Sequence, residues 1–318
     1  MKRHLRASSL LFNQPLLVTP EMLDLGVGWA NQVMHLNIVN IGSAGLGDAK
    51  LWHDDEDYGA RMERVEESRR QAIARTGVEV IPVSGILVSR GAHLEACEVM
   101  TSYEDLRRQL RTAVADPMVE RIVLDIDSPG GSAVGAFELA TEIRAMTQQK
   151  PITGLVNFMA YSGGYLLASA CSEVVVSKTS GIGSIGVIAK HLDRSKLEEN
   201  AGVKVTTVFA GAHKNDMSPH EPLTEQSLKF LNDLVQESYQ MFVGAVAEYR
   251  GLSIEQVMAT EAALYQGQHG INAGLADRLQ SPQDAVDQLS RIVAESRTGR
   301  GAGGISVRAR AAAIQSQL

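Results

Sequence analysis

Apolar strands that alternate with amphipathic helices predict an α/β fold with a mostly parallel sheet. Three β-branched, largely apolar runs, at residues 78–88, 122–127 and 152–157, have the length and composition of buried strands. Apolar residues at helical spacing lie between them, over 103–114 and 134–146. Because helices connect consecutive strands, we expect the strands to run parallel in one sheet.

Further elements continue the same alternation toward the C-terminus. Residues 174–176 and 203–209 are predicted strands, and residues 182–188 are predicted to form a loop and a strand. A long amphipathic helix is expected over 223–249. A short helix follows it, and Ser253 is suited to cap its first turn.

Composition divides the chain into three regions. Residues 1–76 are predicted to be an accessory region, whose charged stretch is either a solvated helix or a partly disordered arm. Residues 77–290 contain the strand and helix pattern and are expected to form the main domain. Residues 291–318 combine arginines with Gly, Ala and Ser, which is typical of a flexible basic tail.

Overall composition limits the functions that the protein can have. The 318 residues are 44% hydrophobic and 21% charged, as in a globular protein, and the net charge of −7 argues against nucleic-acid binding. The two cysteines, Cys97 and Cys171, have no C-x-x-C partner and no nearby histidine cluster, so neither a metal site nor a cofactor is expected. No apolar run reaches 18 residues, so we expect no membrane span and a cytoplasmic protein.

Ser162 is the residue with the greatest chemical interest. It follows the predicted strand at 152–157, precedes a helix-like run rich in small residues, and is followed by Gly163 and Gly164. A serine at such a strand-to-helix turn can expose its hydroxyl beside free backbone amides, as a nucleophile requires. The same tripeptide also forms ordinary turns, so this pattern alone supports either interpretation.

A second pair of glycines strengthens the nucleophile hypothesis. Gly130 and Gly131 follow the strand at 122–127, just as Gly163 and Gly164 follow the next strand. Turns after the carboxyl ends of parallel strands lie at one edge of the sheet, so the two glycine turns are expected to face each other. The amides of Gly131 and Gly163 would then form a two-donor pocket for a developing oxyanion, each donor contributing roughly 3 kcal/mol.

The sequence leaves the general base open. His191 is the best placed of the eight histidines, although it stands in a polar stretch beside Lys190. Lys214 follows the predicted strand at 203–209, but a lysine acts as a base only when desolvation keeps its amine neutral. Residue spacing alone does not decide between these two candidates.

Four motifs occur in order along the chain. They are Leu124-Asp125-Ile126-Asp127-Ser128-Pro129-Gly130-Gly131, Ala160-Tyr161-Ser162-Gly163-Gly164-Tyr165-Leu166-Leu167-Ala168-Ser169-Ala170, Gly183-Ser184-Ile185-Gly186-Val187 and Gly211-Ala212-His213-Lys214. Together they resemble the signal peptide peptidase A family of serine peptidases, family S49, which shares a fold with the Clp protease subunit and the crotonases. The resemblance spans roughly residues 78–288, and within the family it is strongest to the phage branch, the head maturation proteases.

The resemblance implies a Ser–Lys dyad. Ser162 matches the nucleophile, Lys214 the general base, and Ser184 a serine that holds the lysine amine. Gly131 and Gly163 match the oxyanion donors. The family also implies protein substrates and a homo-oligomer, in which the serine and lysine can come from adjacent subunits. From the resemblance we also expect the chain to differ from those phage relatives that carry a long scaffold-like C-terminal extension.

The resemblance to the phage branch predicts a serine endopeptidase that processes scaffold, portal or its own terminus inside an assembling phage head. Three alternatives remain: a host-type signal peptide peptidase-like protease, a crotonase-like enzyme that is not a peptidase, and an inactive scaffold protein associated with the capsid. The endopeptidase hypothesis requires Ser162 and Lys214, whereas the last two alternatives need neither residue.

Overall fold

The computed structural model describes residues 15–19, 55–90 and 100–315 of the chain. Within these ranges, nine strands form a single sheet. The strands are β1 (Leu16–Val18), β2 (Val78–Val88), β3 (Met100–Ser102), β4 (Arg121–Ser132), β5 (Ile152–Tyr161), β6 (Glu173–Val176), β7 (Gly181–Gly183), β8 (Leu264–Gln266) and β9 (Arg278–Leu279).

Nine helices accompany the strands in the same described ranges. They are α1 (Asp55–Thr76), α2 (Tyr103–Ala115), α3 (Ala136–Met146), α4 (Gly163–Ser169), α5 (Ser195–Asn200), α6 (Glu225–Arg250), α7 (Ile254–Met258), α8 (Gln268–Asn272) and α9 (Pro282–Gln315).

The sheet is mostly parallel, so the predicted fold class is confirmed. Strands β3, β2, β4, β5, β6 and β9 lie side by side in that order and run parallel. Strand β7 continues the parallel arrangement beside the end of β5, whereas β1 and β8 pair antiparallel with β4 and β7. The carboxyl ends of β4 and β5 therefore lie next to each other at one edge of the sheet.

Helices cover both faces of the sheet. On one face, α2, α3, α4 and α6 enclose the larger core, in which the apolar strand residues and Tyr103, Tyr165 and Phe242 are fully buried. On the other face, α9 packs Leu289 and Val293 against β4, β5 and β6. The first face supports the site directly, because α4 begins at the residue after Ser162.

Local sequence explains the helix ends that the structure shows. Ser102 accepts a hydrogen bond from the Asp105 amide at the start of α2, and Ser253 forms a capping box with Gln256 at the start of α7. Helix α6 ends at Gly251, which adopts the left-handed conformation that glycine tolerates best. The predicted Ser253 cap is therefore present.

Two predicted elements differ from the structure. Residues 128–131, expected to form a turn, continue strand β4, because Gly130 and Gly131 pair with Ile86 and Leu87 of β2. Residues 203–209, expected to form a strand, make no strand pairing and are exposed. Their β-branched composition predicted a strand, but no strand among the described residues pairs with them.

Parts of both terminal regions are helical in the structure. The charged stretch of the accessory region forms helix α1, one of its two predicted forms, and the predicted flexible tail is helical up to Gln315 as part of α9. The division into three regions stays a prediction. Cys171 is buried, which raises the pKa of its thiol to about 12, whereas Cys97 lies outside the described residues.

An ion pair ties the end of α6 to the sheet. The Arg250 guanidinium donates two hydrogen bonds to the Asp277 carboxylate, at 2.7 and 2.8 Å, and the Val174 amide of β6 donates a third at 2.7 Å. Burial raises the pKa of the Asp277 carboxyl, but the hydrogen bonds from Arg250 and Val174 outweigh it and hold that pKa below its ordinary value. The pair is therefore a bidentate, charge-assisted contact between a buried arginine and a half-exposed aspartate.

We expect Asp277→Asn to lower the free energy of unfolding by about 2 kcal/mol at pH 7. This loss is smaller than that for breaking a fully buried ion pair, because Asp277 is partly solvated. The depressed pKa means that the stabilisation is present at neutral pH and is lost as the pH falls through the folded-state pKa. Urea unfolding from pH 7 to pH 3 should therefore show the difference between wild type and variant shrinking. Asp233→Asn, which breaks an exposed pair with Lys229, is the control and should change stability by less than about 0.5 kcal/mol. A difference that grows toward pH 3 would contradict this account.

Candidate active site

Ser162 occupies a strained position between β5 and α4. Its backbone angles are φ 51° and ψ −116°, a region that non-glycine residues rarely adopt and that costs about 1–3 kcal/mol. Two backbone hydrogen bonds hold it there: the Ser162 N–H donates to the Gly183 carbonyl at 2.8 Å, and the Leu166 N–H donates to the Ser162 carbonyl at 2.9 Å. Such strain persists where the surrounding structure fixes the backbone firmly.

The helix that follows Ser162 provides this firm support. Every residue of α4 is buried, and the Tyr165 hydroxyl donates a 2.9 Å hydrogen bond to the Leu275 carbonyl. Ser162 itself has no solvent exposure, and its hydroxyl makes only a long contact of 3.4 Å to the Gly186 carbonyl. The hydroxyl is thus held in a buried place without a strong hydrogen bond of its own.

The two glycine pairs face each other, as the sequence predicts. The register of β4 and β5 puts Ser128 beside Ala160, so the segments that follow both residues are neighbours. A methyl group built on Gly130 would lie 2.9 Å from the Gly163 nitrogen, and one built on Gly163 would lie 3.4 Å from the Gly131 nitrogen. The structure therefore brings the Gly131 and Gly163 amides to one place, beside Ser162.

Close backbone packing explains why glycine is needed at this edge of the sheet. A methyl group on Gly131 would lie 1.9 Å from the Leu87 carbonyl oxygen, which no real side chain tolerates. The Ser128 hydroxyl fixes the same segment, because it donates to the Gly85 carbonyl at 2.7 Å and accepts from the Gly130 amide at 3.1 Å. The position of the Gly131 amide is thus determined from both sides.

Ser184 lies next to the nucleophile candidate through strand β7. It follows Gly183, whose carbonyl accepts the Ser162 amide, and its own amide donates to the Ala263 carbonyl at 3.0 Å. Ser184 is almost fully buried and has a positive φ of 55°. The structure therefore places Ser162 and Ser184 in one buried neighbourhood.

Lys214 differs from Ser162 and Ser184 in its exposure to solvent. It is exposed, in a turn where its amide donates to the Gly211 carbonyl at 3.0 Å. Within the described residues, no hydrogen bond joins its amine to Ser162 or Ser184. The preceding segment is also in solvent, with Val208 93% and Phe209 51% exposed. A single chain thus presents Lys214, and the apolar residues before it, on an uncovered surface.

The alternative base, His191, lies in the segment after Ile188. Burial lowers the pKa of its imidazole, and the nearby Asp193 carboxylate opposes this change. The lowered pKa keeps the ring neutral near pH 7. Elsewhere in the described ranges, His, Cys, Asp and Glu side chains form no cluster of three suited to a metal ion.

The sequence analysis did not identify Leu16, Leu17 and Ile188 as parts of this site. Strand β1 pairs antiparallel with Gly130, Gly131 and Ser132, and Leu16 also bridges to Ile188. Leu16, Leu17, Val18 and Thr19 lie between Pro15 and Pro20, and this short run bounded by prolines is the local signal of the strand. A three-residue strand so far from the main domain along the chain is difficult to predict.

Each helix in the described part of the chain falls short of the length and apolar character needed to cross a bilayer.

Comparison with known proteins identifies two phage relatives. The capsid assembly protease C of Escherichia phage lambda is 37% identical over 305 residues, which cover 93% of this chain and 67% of that protein. The head-tail preconnector protein GP5 of Enterobacteria phage P21 is 42% identical over 214 residues, which cover 67% of this chain and 43% of that protein. The chain therefore spans two thirds of the first relative and less than half of the second.

A solved structure of an enoyl-CoA hydratase/isomerase family member is similar over 70% of this chain and 72% of that protein, with 14% sequence identity and a TM-score of 0.40.

The model of Peptidase family S49 matches residues 144–295, a range that includes Ser162, Ser184 and Lys214. The extensive identity to the lambda protease and this match agree with the resemblance found in the motifs. The chain belongs to peptidase family S49.

Proposed function

We propose that this protein is a serine endopeptidase in which Ser162 is the nucleophile and Lys214 is the general base. The observation that carries the proposal is the buried, strained Ser162 beside the paired amides of Gly131 and Gly163. Acyl transfer by such a site needs a nucleophile, a base and an oxyanion pocket, and it needs no cofactor.

The proposed reaction begins when neutral Lys214 accepts the Ser162 proton and the Ser162 oxygen attacks the carbonyl carbon of the substrate. The carbonyl oxygen then gains negative charge, which hydrogen bonds from the Gly131 and Gly163 amides stabilise. Collapse of this intermediate breaks the peptide bond and transfers a proton to the leaving amine. Water, activated by the same lysine, then releases the acyl group from Ser162.

The exposure of Lys214 supports an oligomeric site. A lysine acts as a base only when its surroundings remove it from water, and the exposed turn of a single chain does not provide this. The uncovered apolar residues Val208 and Phe209 precede Lys214 and would become buried against a second copy. We therefore propose a homo-oligomer in which Lys214 of one copy and Ser162 of its neighbour form the dyad, with Ser184 holding the amine.

The proposed substrates are proteins of an assembling phage head: scaffold, portal or the protein's own terminus. This assignment of substrates is based on the two phage relatives, which are named for capsid assembly and for the head-tail preconnector. It implies that the protein works in the host cytoplasm, inside the assembling head, without nucleic acid or membrane as a partner.

Ser162→Ala should reduce processing of co-expressed head proteins by about 1,000-fold or more, because no other group supplies the acyl acceptor. Processed products are measured by gel and mass spectrometry. Ser290→Ala, which removes a hydroxyl from α9 on the other face of the sheet, is the matched control and should process normally. Processing that survives Ser162→Ala would eliminate the proposed nucleophile.

Lys214→Ala should lower the same processing by about 100-fold or more, the usual contribution of a general base. Lys204→Ala changes another exposed lysine in the same segment and should have little effect. Equal effects of the two substitutions would show that the segment matters for folding or assembly and that Lys214 has no special role as a base.

Mixing the two inactive variants tests whether the dyad spans two subunits. If Ser162 and Lys214 come from different copies, random assembly of equal amounts should restore about one quarter of the wild-type activity, because some interfaces contain both native residues. If both residues come from the same copy, each site lacks one of them and the mixture stays inactive. The measurement requires assembly from separately purified, dissociated chains.

A further inference from the structure

Strand β1 lies in the cleft beside Ser162 like a bound peptide. It pairs antiparallel with the end of β4, with Leu16 opposite Ser132, Leu17 opposite Gly131 and Val18 opposite Gly130. On its other side, the Leu16 amide donates to the Ile188 carbonyl at 2.8 Å, and the Ile188 amide donates to the Leu16 carbonyl at 3.0 Å. The segment is therefore held between two backbone edges.

The hydrogen bonds of Leu16 determine the direction of the Leu17 carbonyl. Successive residues of a strand turn their polar groups to opposite sides, so Leu17 directs its carbonyl away from Ile188 and toward Gly131. A methyl group built on Gly130 would lie 1.9 Å from the Leu17 carbonyl oxygen, and one built on Gly163 would lie 3.2 Å from it. The Leu17 carbonyl thus occupies the neighbourhood of the Gly131 and Gly163 amides, where the substrate carbonyl would bind.

The segment also closes the cleft to solvent. Leu16, Leu17 and Val18 are 4%, 0% and 8% exposed, and Ser162 beneath them is completely buried. An external peptide therefore cannot reach Ser162 while β1 stays in place. Since the segment belongs to the same chain, it competes with an external peptide as an intramolecular ligand.

We propose that Leu16–Val18 is a tethered mimic of the substrate, which an incoming extended peptide must displace before it can be cut. The proposal rests on the proposed function, since it assigns the ligand of the same site. It identifies the ligand as an extended, apolar peptide that binds as an antiparallel strand, with an apolar residue in the place of Leu17. Three paired residues make a short strand, which is consistent with displacement by a longer peptide.

Peptide binding tests this proposal without depending on catalysis. All variants carry Ser162→Ala, so that cleavage does not disturb the measurement, and all are full-length chains. The probe is a fluorescent synthetic peptide with the sequence of residues 13–21, and its binding is followed by fluorescence anisotropy. A second peptide, with Asp in place of Leu17, is the control and should bind to no variant.

Leu16→Pro removes the amide that donates to Ile188 and should release β1 from the cleft. We expect the probe to bind the Leu16→Pro variant at least about tenfold more tightly than the chain with native Leu16, because the competing segment is displaced. Equal affinity in the two folded proteins would overturn the proposal and would identify β1 as a permanent part of the sheet. Circular dichroism verifies that the variant is folded.

A disulfide provides the opposite test, and it decides the question if Leu16→Pro does not fold. Leu16 and Ser132 are directly opposite each other without mutual hydrogen bonds, a pair whose Cα atoms are close enough for a disulfide. In the double variant Leu16→Cys and Ser132→Cys, oxidation should lower probe affinity at least about tenfold relative to the reduced protein, because β1 is then locked in place. Equal probe affinity in both redox states would overturn the proposal.

Failure of the proposed function would appear instead as processing that survives Ser162→Ala.

Discussion

The close approach of two backbone segments, at the ends of β4 and β5, is the constraint on which the site depends. Gly130 and Gly131 of the first segment lie against Gly163 of the second, at distances where a methyl group would meet backbone atoms. Only glycine allows this approach, and the approach brings two amides to one point beside Ser162. The same geometry makes the pocket rigid, since β2 and the Ser128 hydroxyl fix one segment while α4 fixes the other.

The strain at Ser162 follows from this arrangement. The chain must turn from strand to helix within one residue, because β7 pairs with β5 up to Tyr161 and α4 begins at Gly163. The core residues of α4 and the hydrogen bond to Gly183 outweigh the cost of the unusual backbone angles. In the proposed reaction, preorganised donors of this kind stabilise the developing charge without rearrangement.

Sequence patterns predicted the parts of the site that depend on the sheet. Gly131 lies at the end of β4, and Ser162 and Gly163 follow β5, so general rules of α/β folds place all three at the carboxyl edge of the sheet. Lys214 is different, because its preceding segment has the composition of a strand but pairs with none of the strands that the structure describes. A strand-like composition shows that a segment can pair with another strand. It does not show whether that strand belongs to the same chain or to another copy of it. The family resemblance, and no rule of spacing, identified this lysine.

Strand β1 shows a second limit of prediction. The three apolar residues of β1 form too short a run to show a strand pattern, and the structure places them against residues more than one hundred positions later in the chain. Their location depends on the backbone groups of β4 and Ile188 beside Ser162, with which β1 pairs. A short segment can therefore determine access to a site while contributing almost nothing to its sequence signature.

The most direct test of the central claim is a crystal structure of the assembled protein with a peptide aldehyde, whose carbonyl carbon reacts reversibly with an activated serine. The account predicts a covalent bond from the Ser162 oxygen to that carbon, with the resulting oxygen hydrogen-bonded to the Gly131 and Gly163 amides. An aldehyde bound to another residue, or a Ser162 adduct whose oxygen points away from both amides, would contradict it.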